Sequence, residues 1–154
     1  MYILTIIMLM FILPILAVLT ELLIFHSNVG VVLLIGKWFV FWAVGVRLFS
    51  AGLRQVIRPQ FTVEEIFGIR DNQQFIIVQE LGFANISVGT LGIISILNVN
   101  WTLPAAIVGC LFIGLAGVRH VLRKERNLLE NSAMFSNLII FVVLLIYIIW
   151  DLVI

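Results

Sequence analysis

A chain of 154 residues that is 63% hydrophobic and 11% charged, with mean hydropathy +1.23, carries more apolar surface than one small water-soluble core can bury, so lipid must be its main solvent. A formal net charge of +1, with no basic tract and no basic patch interleaved with aromatics, excludes a nucleic-acid-binding surface. The expected class is all-α: a polytopic transmembrane helical bundle of about five spans, with residues 1–154 forming one integral membrane domain.

Apolar runs that match a helix crossing roughly 30 Å of hydrocarbon fall at about 2–25, 30–54, 73–97, 102–122 and 133–153. The first lacks a basic leader and is longer than a signal-peptide core, so it reads as a retained span. It carries Glu21 near its end. The second carries Lys37, Arg47 and Arg54, with Gly45 and Gly52 repeating on an adjacent face.

Between spans two and three, "FTVEEIF" predicts a short interfacial helix capped by Thr62 with Glu65, stapled by Phe61 against Ile66 and stopped by Gly68. Val63, Ile66 and Phe67 share its apolar face, which would rest on the membrane surface or on the bundle. Asp71 with Gln74 gives a second capping pair at the start of span three. Spans three and four are rich in small residues, Gly82, Gly89 and Gly92 in one and Ala106, Gly109, Cys110, Gly114 and Gly117 in the other. Such residues let backbones approach where lipid supplies no drive for association, so these two spans are the expected packing core. Cys110 is the only cysteine and reads as a compact apolar residue.

Basic residues close to span ends are retained on the cytoplasmic side. Arg54, Arg58 and Arg70 flank the second connection and Arg123, Lys124 and Arg126 the fourth, while the first and third carry none. The amino terminus is therefore expected inside and the carboxyl terminus outside, with Trp101, Tyr147 and Trp150 at the outer interface.

A charge within a span faces a partner, lines a wet cavity, or snorkels from near an end. Arg47 lies roughly 10 Å deeper than Arg54 at the usual helical rise, and Glu80, seven residues beyond Gln73, stands at matching depth. Arg47 and Glu80 are thus the expected ligand or ion-pair positions, with a bidentate contact between them. Arg54, Asn85 and His120 complete the candidate set, Asn85 as a buried amide bonding a neighbouring helix and His120 as a structural or interfacial residue. Glu21 with Lys37 forms a second candidate pair, the alternative for Lys37 being to snorkel outward. No metal-ligand spacing and no phosphate-loop, nucleophile-elbow or paired-cysteine motif is present, so neither cofactor nor catalytic residue is assigned.

The stretches "GKWFVFWAVGVRLFSAGLRQVIRPQFTVEEIFGI", "VQELGFANISVGTLGIISIL" and "PAAIVGCLFIGLAGVRHVLRKERN" resemble an uncharacterised family of small bacterial inner-membrane proteins known as a domain of unknown function. More distantly, an Arg/Gly-bearing span, a surface elbow and a Glu/Gly-bearing span are similar in order to the DoxX group of four-helix membrane proteins. These resemblances imply a multi-pass protein of the inner (plasma) membrane and, from the DoxX group, a quinone-linked redox role.

Three functions remain open: a non-catalytic accessory or assembly component, partnered by lipids, by copies of itself or by a larger membrane complex; a lipophilic-ligand or quinone-associated redox accessory; and a small-solute or proton-coupled transporter.

Overall fold

The computed structural model describes residues 1–26, 28–68 and 73–153. Among these, five helices are long and apolar enough to cross a membrane, a short helix links the second and third, a single 3-10 turn at Val99–Trp101 leads into the fourth, and all regular structure is helical. They are α1 (Tyr2–Leu23), α2 (Val31–Ile57), the short α3 (Phe61–Ile66), α4 (Gln74–Ile94), α5 (Thr102–Leu122) and α6 (Leu128–Val153).

Two of the long helices contain wide, π-type turns, at Met8–Ile12 in α1 and Val40–Val46 in α2. The first has a local cause. Pro14 has no N–H to offer the Met10 carbonyl and its ring crowds that oxygen, and the wide turn absorbs both. The second falls just before Arg47. An inserted residue turns the helix beyond it by about 100° relative to a straight repeat, so the two halves of α2 present faces that a constant 3.6-residue period does not relate.

The helix α2 is central, and α4 packs on it backbone to backbone. A Cβ on Gly45 would lie 2.8 Å from the Gly92 carbonyl carbon, and one on Gly52 would lie 2.6 Å from the Gly82 carbonyl oxygen. Between these, a Cβ on Gly89 would collide with the Phe49 backbone. On the other side, Gly114 and Gly117 of α5 receive Phe141 and Leu138 of α6, and Gly109 receives Val44 of α2. The small-residue faces of spans three and four are therefore both used in packing within the bundle, though not on each other. Each met a bulkier or equally small partner elsewhere, and α4 and α5 touch far less than the pairs α2 with α4 and α5 with α6.

The elbow begins earlier than its capping pattern implied. Arg58 is held out of helical geometry (φ −138°, ψ 67°) by the following Pro59, and helical turns begin at Pro59, so Thr62 lies inside them and does not cap. Phe61 meets Tyr2, ring centroids 5.6 Å apart, and Gly68 ends the segment at φ +66°. Val63 and Ile66 are buried, so α3 rests on the bundle. The Asp71–Gln74 capping pair falls partly outside the described residues.

The loop from α5 to α6 fastens this elbow. Asn127 caps α6 by accepting from the Glu130 amide (2.9 Å), while its Nδ2 donates to the Glu65 and Ile66 carbonyls at 2.9 and 3.0 Å. Arg123 donates to the Phe67 carbonyl at 2.6 Å. Arg126 donates to the His120, Val121 and Arg123 carbonyls, satisfying the open end of α5. Starting at Leu128 rather than near residue 133, α6 carries its polar first turn into the bundle.

Gly89→Ala places a methyl against the Phe49 backbone, and overpacking of this kind costs about 1–3 kcal/mol. Thermal unfolding of the purified protein in detergent is expected to show a clear fall in Tm for Gly89→Ala. Gly30→Ala, where a Cβ meets nothing within 4 Å, should leave Tm unchanged; equal effects would contradict the backbone contact.

Candidate functional site

The face of α2 beyond its wide turn carries Arg47 and, two turns on, Arg54. Both line a cavity of about 170 Å³ at the basic end of the bundle. The remaining polar wall comes from Ser50 and Gln55 of α2 itself and from Thr5 of α1, Thr62 of α3, Asn85 of α4, His120 of α5 and Asn137 of α6. Apolar side chains including Leu48, Phe61 and Phe112 fill the gaps between them.

Arg47 makes no ion pair or hydrogen bond among the described residues. Arg54, two turns further along the same helix, carries a like charge, and its guanidinium lies over the rings of Tyr2 (5.9 Å) and Phe61 (5.3 Å). The Asn85 amide nitrogen donates to Gln55 Oε1 on α2 at 2.6 Å, the interhelical bond expected of a buried amide. Its Oδ1 and that of Asn137 are buried without partners among the described residues, at residues only 4% and 5% exposed. Polar atoms so placed mark positions for water or ligand.

The expected Arg47–Glu80 contact does not form. Glu80 is exposed on α4, about 200° round the helix from Gly82, and Gly82, Asn85 and Gly89 are the residues that α4 turns toward the bundle. Matching depth did not carry matching facing. His120 has a carboxylate partner that the sequence reading missed: its Nδ1 lies 2.9 Å from Glu130 Oε1, and Arg123 lies 3.3 Å from Glu130 Oε2. The signal was there in Asn127-x-x-Glu130, a cap residue followed three positions on by Glu.

A second depression, about 350 Å³, adjoins the basic cavity and shares Phe67, Leu81, Ala116 and His120 with it. It runs between α4 and α5 past Ile77, Val78 and Arg119.

At the opposite end the Glu21–Lys37 pair forms. Lys37 Nζ donates to both Glu21 oxygens at 2.8 and 2.9 Å, and Trp38 Nε1 donates to the same carboxylate at 2.7 Å. Lys37 also lies 4.9 Å from the Trp38 ring centre. Trp101 and Trp150 are exposed, whereas Tyr147 packs inside the bundle: it is 3% exposed, its ring laid against Gly36 where any Cβ would collide.

Breaking the Glu21–Lys37 pair from one side leaves a partly buried charge, at a cost of about 1–2 kcal/mol once the one-third exposure of Lys37 is allowed for. Glu21→Gln and Lys37→Met should each lower Tm, and the double variant should lose less than the sum. Strict additivity in this double-mutant cycle would mean that the pair contributes no coupling.

No curated protein and no solved structure matches this chain. The pattern of one family covers nearly all of it, residues 4–152, from the first span to the last. On that match the chain belongs to the family of unknown function DUF6790.

Proposed function

We propose that this is a non-catalytic membrane accessory protein that binds an oxyanion-bearing ligand in the cavity walled by Arg47 and Arg54. The observation that carries the reading is charge without countercharge: two guanidiniums face one cavity, and no carboxylate lines it among the described residues. Like charges in a low-dielectric site repel, and an oxyanion there would offset that cost through charge-assisted hydrogen bonds. The free oxygens of Asn85 and Asn137 add acceptors for a ligand hydroxyl or an ordered water.

The small-residue faces that first suggested assembly with other membrane proteins are occupied within the chain itself, which favours a ligand over a partner helix as the object of the site. A quinone head, as in the DoxX-like reading, would find donors and aromatic walls here, but its carbonyls carry no formal charge to balance two arginines. For a transporter, the obstacle is the middle of the bundle. Val40, Val44, Ala106, Ile140 and Leu144, all fully buried, lie along their helices between the basic cavity and the pocket of about 490 Å³ at the Lys37 end. We take the basic end to face the cytoplasm of a plasma membrane, since it gathers Arg54, Arg58, Arg123 and Arg126.

Inorganic phosphate and octanoate, added to the detergent-solubilised protein, are expected to raise Tm in a saturable manner, whereas octanol is not. A ligand at a hundred times its Kd stabilises by about 2.7 kcal/mol. Arg47→Gln and Arg54→Gln should abolish the shift and Glu80→Gln should retain it. Failure of both anions to stabilise the wild type, or equal stabilisation of both arginine variants, would refute the reading.

A further inference from the structure

We infer that the ligand is a single-chain acidic amphiphile: its oxyanion head sits at Arg47 and Arg54, and its chain leaves through the depression between α4 and α5 into the lipid. This rests on the cavity reading above and adds the class of ligand and its route.

The two spaces share a wall. Phe67, Leu81, Ala116 and His120 line both, so a ligand that fills the cavity meets the groove without crossing the packed centre of the bundle. Ala116 is the smallest of the four shared residues. The depths also agree. Leu81 and Ala116 each stand seven residues in from the rim positions Gln74 and Arg123, about 10 Å at the helical rise, which is also the distance by which Arg47 lies inward of Arg54.

Beyond the shared wall the groove has an apolar strip of Val63, Ile77 and Val78 and a polar rim of Gln74, Arg119, Arg123 and Glu130; Ile77 is 60% exposed on the outer face of α4, the face a membrane-spanning helix turns to lipid. Its one described carboxylate, Glu130, is already held by His120 and Arg123. Arg119 stands exposed beside it, a cation at the height where an acidic headgroup travels along the membrane surface. An apolar channel with a basic mouth and two inner guanidiniums is complementary to an acid head on one hydrocarbon chain. A free soluble anion would use the arginines and leave the groove without a role.

The test uses the full chain in phosphatidylcholine nanodiscs and a long-chain fatty acid bearing a mid-chain diazirine. Photolysis is expected to place crosslinks mainly on residues 74–81 of α4 and 116–123 of α5. Oleate and oleoyl lysophosphatidate should compete at least about tenfold better than oleyl alcohol, a difference of about 1.4 kcal/mol. Arg54→Gln should remove the site-specific crosslinks while the protein still unfolds cooperatively, and Arg47→Gln should do the same.

Crosslinks scattered over lipid-facing positions such as Leu115, Ile139 and Val142 would overturn the inference, as would equal competition by oleyl alcohol. Displacement by inorganic phosphate at the concentrations effective for oleate would overturn it in favour of a water-soluble anion. In that event anion-dependent stabilisation would persist and the cavity reading would stand without the amphiphile. Loss of both signals would remove both.

Discussion

The approach of α2 to α4 through their glycines is the constraint on which the rest of the molecule depends. Gly45 lies against Gly92, Phe49 against Gly89 and Gly52 against Gly82, so these two helices meet along their backbones with no side-chain layer between. Lipid gives helices no hydrophobic reason to associate, and close backbone packing supplies dispersion contacts in its place. The contact fixes the rotation of α2. With its glycine edge committed to α4, the face carrying Arg47 and Arg54 is left to line a cavity bordered by α1, α5 and α6.

The same commitment opens the groove. Because α4 spends its small residues on α2, and α5 spends its own on α6 and Val44, nothing draws α4 and α5 tightly together near the basic end. The elbow partly closes that gap from below. It is positioned by polar contacts to its backbone carbonyls from Arg123 and Asn127, and by the burial of Val63 and Ile66. The residues that shape the cavity floor are thus held by the loop from α5 to α6, more than sixty positions along the chain from Glu65.

Hydropathy made the five spans legible, since roughly twenty consecutive apolar residues have few other uses. Residue by residue, the record is divided. Glu21 and Lys37 could be paired because each lies near one connection and counting from it suffices. Arg47 and Glu80 could not, because pairing deep in a bundle requires rotation as well as depth. Rotation in α2 is reset by the wide turn at Val40–Val46, for which the sequence offers no proline as it does at Pro14. Glu130 escaped notice for a different reason: the apolar run begins after it, so hydropathy put it in a loop, while its cap Asn127 had already started the helix. Which small faces pair with which was likewise invisible, since glycine spacing marks a contact face without naming its partner.

The two ends of the molecule offer an internal comparison for the arginines. Where this chain holds an intramembrane cation as structure, it surrounds the charge. Lys37 receives both oxygens of Glu21, and Trp38 donates a third bond to the same carboxylate, so little of either charge is left to attract a ligand. Arg123 is paired with Glu130, whose carboxylate also meets His120. Arg47 and Arg54 have no such carboxylate among the described residues: they share a cavity, and find aromatic faces and amides there instead. A buried cation left uncompensated costs stability that a single acidic substitution nearby would recover. Glu80 stands on the adjacent helix at the right depth, turned away from the cavity. An arrangement that gives Lys37 and Arg123 carboxylates and leaves this pair without one has a cavity suited to a negative charge that arrives from outside the chain.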